Sequence, residues 1–154
     1  MDVQADTPSC GVDGHPTESF SWAVGESGTF DAHMLGKLDV SGVIDWQTQP
    51  FPAGLFSAAP LVITQVQTHN DEDWVKTRQK MVTVHDFKVC LEEDGDDEHP
   101  TETVGFLALR LGTGMLGGLV YEAMQMDGVT HNVHNAHFSS AFYSNPGVFG
   151  SIAT

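Results

Sequence analysis

Glu92-Glu93-Asp94-Gly95-Asp96-Asp97-Glu98 gathers six carboxylates into seven residues. Calcium takes several oxygen ligands, and a glycine inside such a loop permits the tight turn that brings carboxylates together. Glu93, Asp94, Asp96 and Asp97 are therefore candidate calcium ligands, weighed against a solvated hairpin tip because the EF-hand register is absent. His131, His134 and His137 stand three apart. On a strand that spacing alternates faces, so the three imidazoles do not converge on zinc without a bend. Apart from calcium, no cofactor is expected.

A third cluster is more suggestive of binding. Asn70-Asp71-Glu72-Asp73-Trp74 sets an indole in an acidic loop beside His69, with Arg78 close behind. An exposed indole can stack against a sugar ring while neighbouring polar groups take its hydroxyls. His69, Asn70, Asp73, Trp74 and Arg78 are thus candidate glycan-binding residues, although an exposed Trp serves equally well as an interface anchor. Nothing suggests catalysis. No Gly-x-Ser-x-Gly is present, no Ser and His are spaced as a relay, and the paired carboxylates lie in exposed stretches where acid and base tuning is not required. The chain is expected not to be an enzyme.

The elements that must hold these residues are strands. Leu61 to Thr68, Thr77 to Val84, Asp86 to Glu92 and Thr101 to Leu109 are short runs rich in β-branched or alternating apolar residues. Thr29 to Leu38 and Trp46 to Phe51 supply two more. Six strands in so short a span, without room for crossover helices, predict an all-β, six-stranded antiparallel β-sandwich. Its core is expected from Phe51, Phe56, Val62, Val66, Phe87, Val89, Leu91, Phe106 and Ala108. Alternation on the Phe87 strand predicts that Cys90 faces solvent.

With 21 acidic against 6 basic residues the net charge is −15, which would repel a phosphate backbone. Nucleic acid is therefore not an expected partner. No apolar run approaches the roughly 18 residues of a bilayer span, so membrane insertion is not expected either. An acidic, lysine-poor surface suits a saline or extracellular setting.

The chain also repeats itself. His15-Pro16-Thr17-Glu18 returns as His99-Pro100-Thr101-Glu102, 84 positions on, and Phe51 to Thr68 returns as Phe138 to Thr154. A period of that length is one small domain. The expected organisation is residues 1–28 as the end of a preceding copy, 29–112 as a complete copy and 113–154 as the start of the next. Each incomplete copy carries apolar residues that need a partner, so other subunits, in a homo- or hetero-oligomer, are expected. In the repeated turn, Glu102 is expected to accept hydrogen bonds and His99 to be structural.

The order Trp46-Gln-Thr-Gln-Pro-Phe51, Pro60-Leu-Val-Ile63, Gln67-Thr-His-Asn70, Thr77-Arg78, Asp86-Phe87-Lys-Val89 and His99-Pro-Thr-Glu102 resembles the H-type lectin domain in its tandem-repeat form. That resemblance covers the whole copy. It implies a six-stranded sandwich, oligomers, and sugar bound in clefts between subunits. The family's ligand arginine falls here at Trp74 or Val75, and its Trp-His pair falls on Glu93-Asp94, so the sugar site is not carried over intact. The resemblance also implies a bridge between Cys10 and Cys90, with two free thiols as the alternative. Two functions follow as expectations: an extracellular or cell-surface carbohydrate-binding adhesion repeat, or a purely structural assembly subunit of a filament, coat or larger complex without sugar binding.

Overall fold

A computed structural model describes residues 25–93, 98–130, 134–139, 142, 146–151 and 153. Among these residues there is no helix, and nine strands are formed: β1 (Gly28–Phe30), β2 (His33–Val40), β3 (Gln47–Pro50), β4 (Leu61–Val66), β5 (Val75–Lys80), β6 (Asp86–Glu93), β7 (Glu102–Leu109), β8 (Gly112–Leu116) and β9 (Leu119–Ala123). All pair antiparallel. One sheet has the order β1-β2-β7-β4 and the other β3-β6-β5, and the two stack as a sandwich; β8 and β9 form a separate hairpin.

The period-two alternation decides which residues face inward. On β6, Phe87, Val89 and Leu91 are fully buried, and on β7 Val104, Phe106 and Ala108 oppose them. Phe87 meets Phe106 across the sandwich with ring centroids 5.3 Å apart, while Phe51 lies 5.6 Å from Phe87 and 4.8 Å from Phe56. Each such side chain contributes roughly 1.5 to 3 kcal/mol by leaving water. Gly36 on β2 faces the Phe106 ring, and a Cβ there would lie 2.6 Å from it. The core matches the expected set with two differences. Val66 is only partly buried at its edge, and Val40 and Val104 join the centre.

Two expectations are corrected. The single strand over Thr29 to Leu38 is two strands, because Asp31 and Ala32 take positive φ values of 44° and 60° and reverse the chain. That leaves seven strands in the two sheets where six were expected. A two-residue turn with both φ values positive normally announces itself by Asn-Gly or Gly-Gly, and Asp-Ala does not. The strand expected from Thr77 to Val84 likewise starts earlier and stops at Lys80, where Met81 turns with φ 52°. Cys90 occupies the outer face as its parity requires, yet it is 1% exposed. The register sets Arg78 against it on one side, and one step beyond Gln47↔Val89 sets Trp46 on the other. Long side chains roof the thiol. Burial pushes that thiol up from its ordinary value, with Lys80 and Arg78 opposing and Glu92 and Asp45 adding. Cys10 lies outside the described residues, as do Trp22 and His15.

The run after Gly112 is strand, not helix. Gly117 and Gly118 turn β8 into β9 with φ 56° and 85°. Tyr121 fastens this hairpin to the sandwich: its hydroxyl lies 2.7 Å from His33 Nε2 and reaches the Arg110 carbonyl at 3.3 Å. Further along, Ser151 Oγ accepts from Gln79 Nε2 at 2.5 Å, and Ala153 bridges Gln79 in parallel.

Candidate functional site

The loop that carries the candidate glycan residues, between β4 and β5, is braced from below by one carboxylate. Glu102, at the start of β7, is fully buried. Its carboxylate accepts from the Thr68 hydroxyl, from the Asn70 backbone N–H at 2.7 Å and from His99 Nε2 at 3.0 Å. Burial pushes the Glu102 carboxyl up, and these donors outweigh it, holding it below the usual carboxylate range. A carboxylate can only accept here, so His99 Nε2 is the donor. The Thr68 hydroxyl in turn accepts from the Thr103 N–H at 2.7 Å, and Asn70 Nδ2 donates to the Thr101 carbonyl at 2.7 Å. The expected hydrogen-bonding role of Glu102 is therefore met, by His99 in the same turn and by two donors from a loop more than thirty residues away in sequence.

On the far side of His99, its Nδ1 lies 3.4 Å from Glu93 Oε2, and both side chains are 1% exposed. Among the described residues neither Glu93 oxygen has a hydrogen-bond donor. Glu93 thus points into the protein, toward an imidazole. Asp94, Asp96 and Asp97 lie outside the described residues, and among those described no group of three or more His, Cys, Asp or Glu side chains is placed to hold a metal ion. His134 Nε2 accepts from the Thr130 N–H at 3.1 Å; His131 lies outside the described residues.

The structure divides the five candidate glycan residues. Asn70 is committed to Thr101 and Glu102, and it fixes the loop. His69 and Asp73 are exposed on that loop, and Trp74 is 58% exposed where the loop enters β5. Strand alternation within β5 directs Lys76, Arg78 and Lys80 to the outer face of the β3-β6-β5 sheet, and Trp74 immediately precedes them in the chain. Thr77 and Gln79 point the other way: Thr64 Oγ1 donates to Gln79 Oε1 at 2.9 Å and lies 2.8 Å from the Thr77 hydroxyl. The arrangement therefore sets Trp74 at the entry to the strand that carries Arg78 and leaves Asn70 as the loop's anchor.

Arg78 is not a free cation. It donates through Nε to Glu92, and Lys76 Nζ approaches the same carboxylate at 3.3 Å. Burial pushes the Glu92 carboxyl up, but the Arg78 and Lys76 contacts prevail and hold it below its usual range. Lys80 extends over the Trp46 ring, 3.6 Å from its centroid. Lys88 pairs across from Lys80 in the register and shares the outer face. Sequence reading took only Arg78 from this group. Its missed signal was the alternation Lys76, Arg78, Lys80 itself, whereas Lys88 and Trp46 join only through strand pairing.

No family model matches this chain, and no solved structure matches it. Among curated proteins it is similar to Halomucin of Haloquadratum walsbyi, with 29% identity over 136 residues. The match covers 83% of this chain and 2% of the relative, so the chain spans a small fraction of the curated protein it resembles.

Proposed function

We propose that this chain is a non-catalytic, extracellular carbohydrate-binding module of the H-type lectin kind, acting as an adhesion repeat within a larger assembly. The observation that carries this reading is Trp74. A large indole is 58% exposed on a loop that a buried carboxylate holds in place, and it leads into a strand face of polar and charged side chains. An exposed aromatic is costly unless something covers it, and a rigid support beneath lowers the entropy lost when a ligand does so. The similar protein bears the name Halomucin, a mucin by that name, and the net charge of −15 suits a saline or extracellular setting. The test is a glycan array probed with the full chain and with Trp74→Ala, the fold of each checked by circular dichroism. Binding that the substitution weakens supports the reading; absence of binding to any glycan overturns it.

A second reading, an assembly subunit without sugar binding, draws on the segment after Gly112. Met115, Leu119 and Val148 are 62%, 74% and 71% exposed. Apolar residues so placed are covered when copies associate. Light scattering that shows an oligomer, together with an empty array, would select this reading.

A further inference from the structure

Four of the chain's six Lys and Arg residues, Lys76, Arg78, Lys80 and Lys88, lie on one face of two paired strands in a protein of net charge −15. Two carboxylates share that face: Glu92, ion-paired to Lys76 and Arg78, and Asp86 at the start of β6, which accepts from the Thr83 hydroxyl. The face is therefore locally cationic on an otherwise anionic body. It is also flanked by indoles: Trp46 lies under Lys80, and Trp74 immediately precedes β5.

We propose that this outer face binds an acidic polysaccharide, one bearing carboxylate or sulfate groups. The inference rests on the glycan-binding reading and names its ligand class. An extended anionic sugar chain lying along β5 would place its charged groups 6 to 7 Å apart in step with alternate residues, since side chains on one face of a strand recur at about that interval. Lys80 and Lys88 supply charge-assisted hydrogen bonds to the anions, and Arg78, already oriented by Glu92, presents its remaining N–H groups. Trp74 stacks on a ring between them. The acidic surface of a second copy would also meet these cations. Two bodies of −15 repel each other, however, and such a contact leaves the exposed indole without a flat partner.

The test measures binding of the full chain to polygalacturonate, dextran sulfate and neutral dextran by calorimetry at low and moderate salt. Lys80→Gln with Lys88→Gln should weaken binding to both acidic polymers by about tenfold or more. A charge-matched control, Lys37→Gln with Arg110→Gln, should change it less than about twofold. Trp74→Ala should weaken it roughly fivefold with the cations intact. Equal losses in the double variant and the control would overturn the proposal, as would no binding to either acidic polymer. Binding to neutral glycans that the Lys80 and Lys88 changes leave untouched would also overturn it while leaving the glycan-binding reading standing. Self-association abolished by the double variant, without polysaccharide binding, would assign the face to a second copy and overturn it too.

Discussion

Glu102→Gln isolates what the buried carboxylate does, because it keeps the shape and changes the charge. In the native protein one oxygen takes the Thr68 hydroxyl and the other takes the Asn70 N–H and His99 Nε2–H. A glutamine can aim its carbonyl at Asn70 and His99 and its amide at Thr68, whose oxygen still has a lone pair beside the Thr103 N–H. The Thr68 hydroxyl proton then turns from residue 102 to solvent, to which Thr68 is exposed, so the loss is chiefly that of charge assistance, about 1 to 2 kcal/mol. Glu102→Ala goes further, leaving the His99 N–H buried without an acceptor, and should cost about 3 kcal/mol. The sign with pH follows from the lowered carboxyl. Its folded value lies below its unfolded value, so its stabilisation is full above the unfolded value and is lost as pH falls through the folded one. The gap between native protein and Glu102→Gln should therefore be largest near about pH 7 and shrink toward about pH 2 to 3. Urea unfolding of the full chain followed by tryptophan fluorescence measures it. A gap that is constant with pH, or below about 0.5 kcal/mol at neutrality, would refute the reasoning.

Other consequences are simpler to check. Phe87→Ala empties a fully buried site between the Phe51 and Phe106 rings and should lower stability by roughly 3 to 5 kcal/mol in the same urea assay. Gly36→Ala drives a methyl against the Phe106 ring and should cost about 1 to 3 kcal/mol, whereas Gly105→Ala meets only the flexible end of Gln67 and should cost less. Cys90, roofed and with its thiol pushed up, should react with iodoacetamide far more slowly in native than in unfolded protein; rapid native labelling followed by mass spectrometry would contradict its burial.

The sandwich was legible because its strands alternate plainly: Phe87, Val89 and Leu91 fix one inner face, and Phe106 and Ala108 the other. The hairpin at Asp31-Ala32 was not, since its positive φ values come from the pairing of β1 with β2 and not from turn residues. Cys90 was placed on the correct face but assigned the wrong exposure. Parity tells which way a side chain points, and only register tells that Arg78 and Trp46 stand beside it. The same limit applies to the site. Trp74 and Arg78 could be singled out by type and spacing, while the brace of Glu102 on Thr68 and Asn70 spans more than thirty residues and leaves no local pattern. The alternation of Lys76, Arg78 and Lys80 was readable and was passed over, because charge along a strand is ordinarily a solvated face.

The most direct test of the binding reading is an amide-resonance titration of the isotopically labelled full chain with a neutral N-acetylgalactosamine-terminated oligosaccharide and, separately, with a uronate oligosaccharide. Saturable shifts in the Trp74 indole N–H and in the amides of Val75 to Lys80, with at least one of the two ligands, are predicted. Shifts absent with both ligands, or confined to residues away from this face, would contradict it.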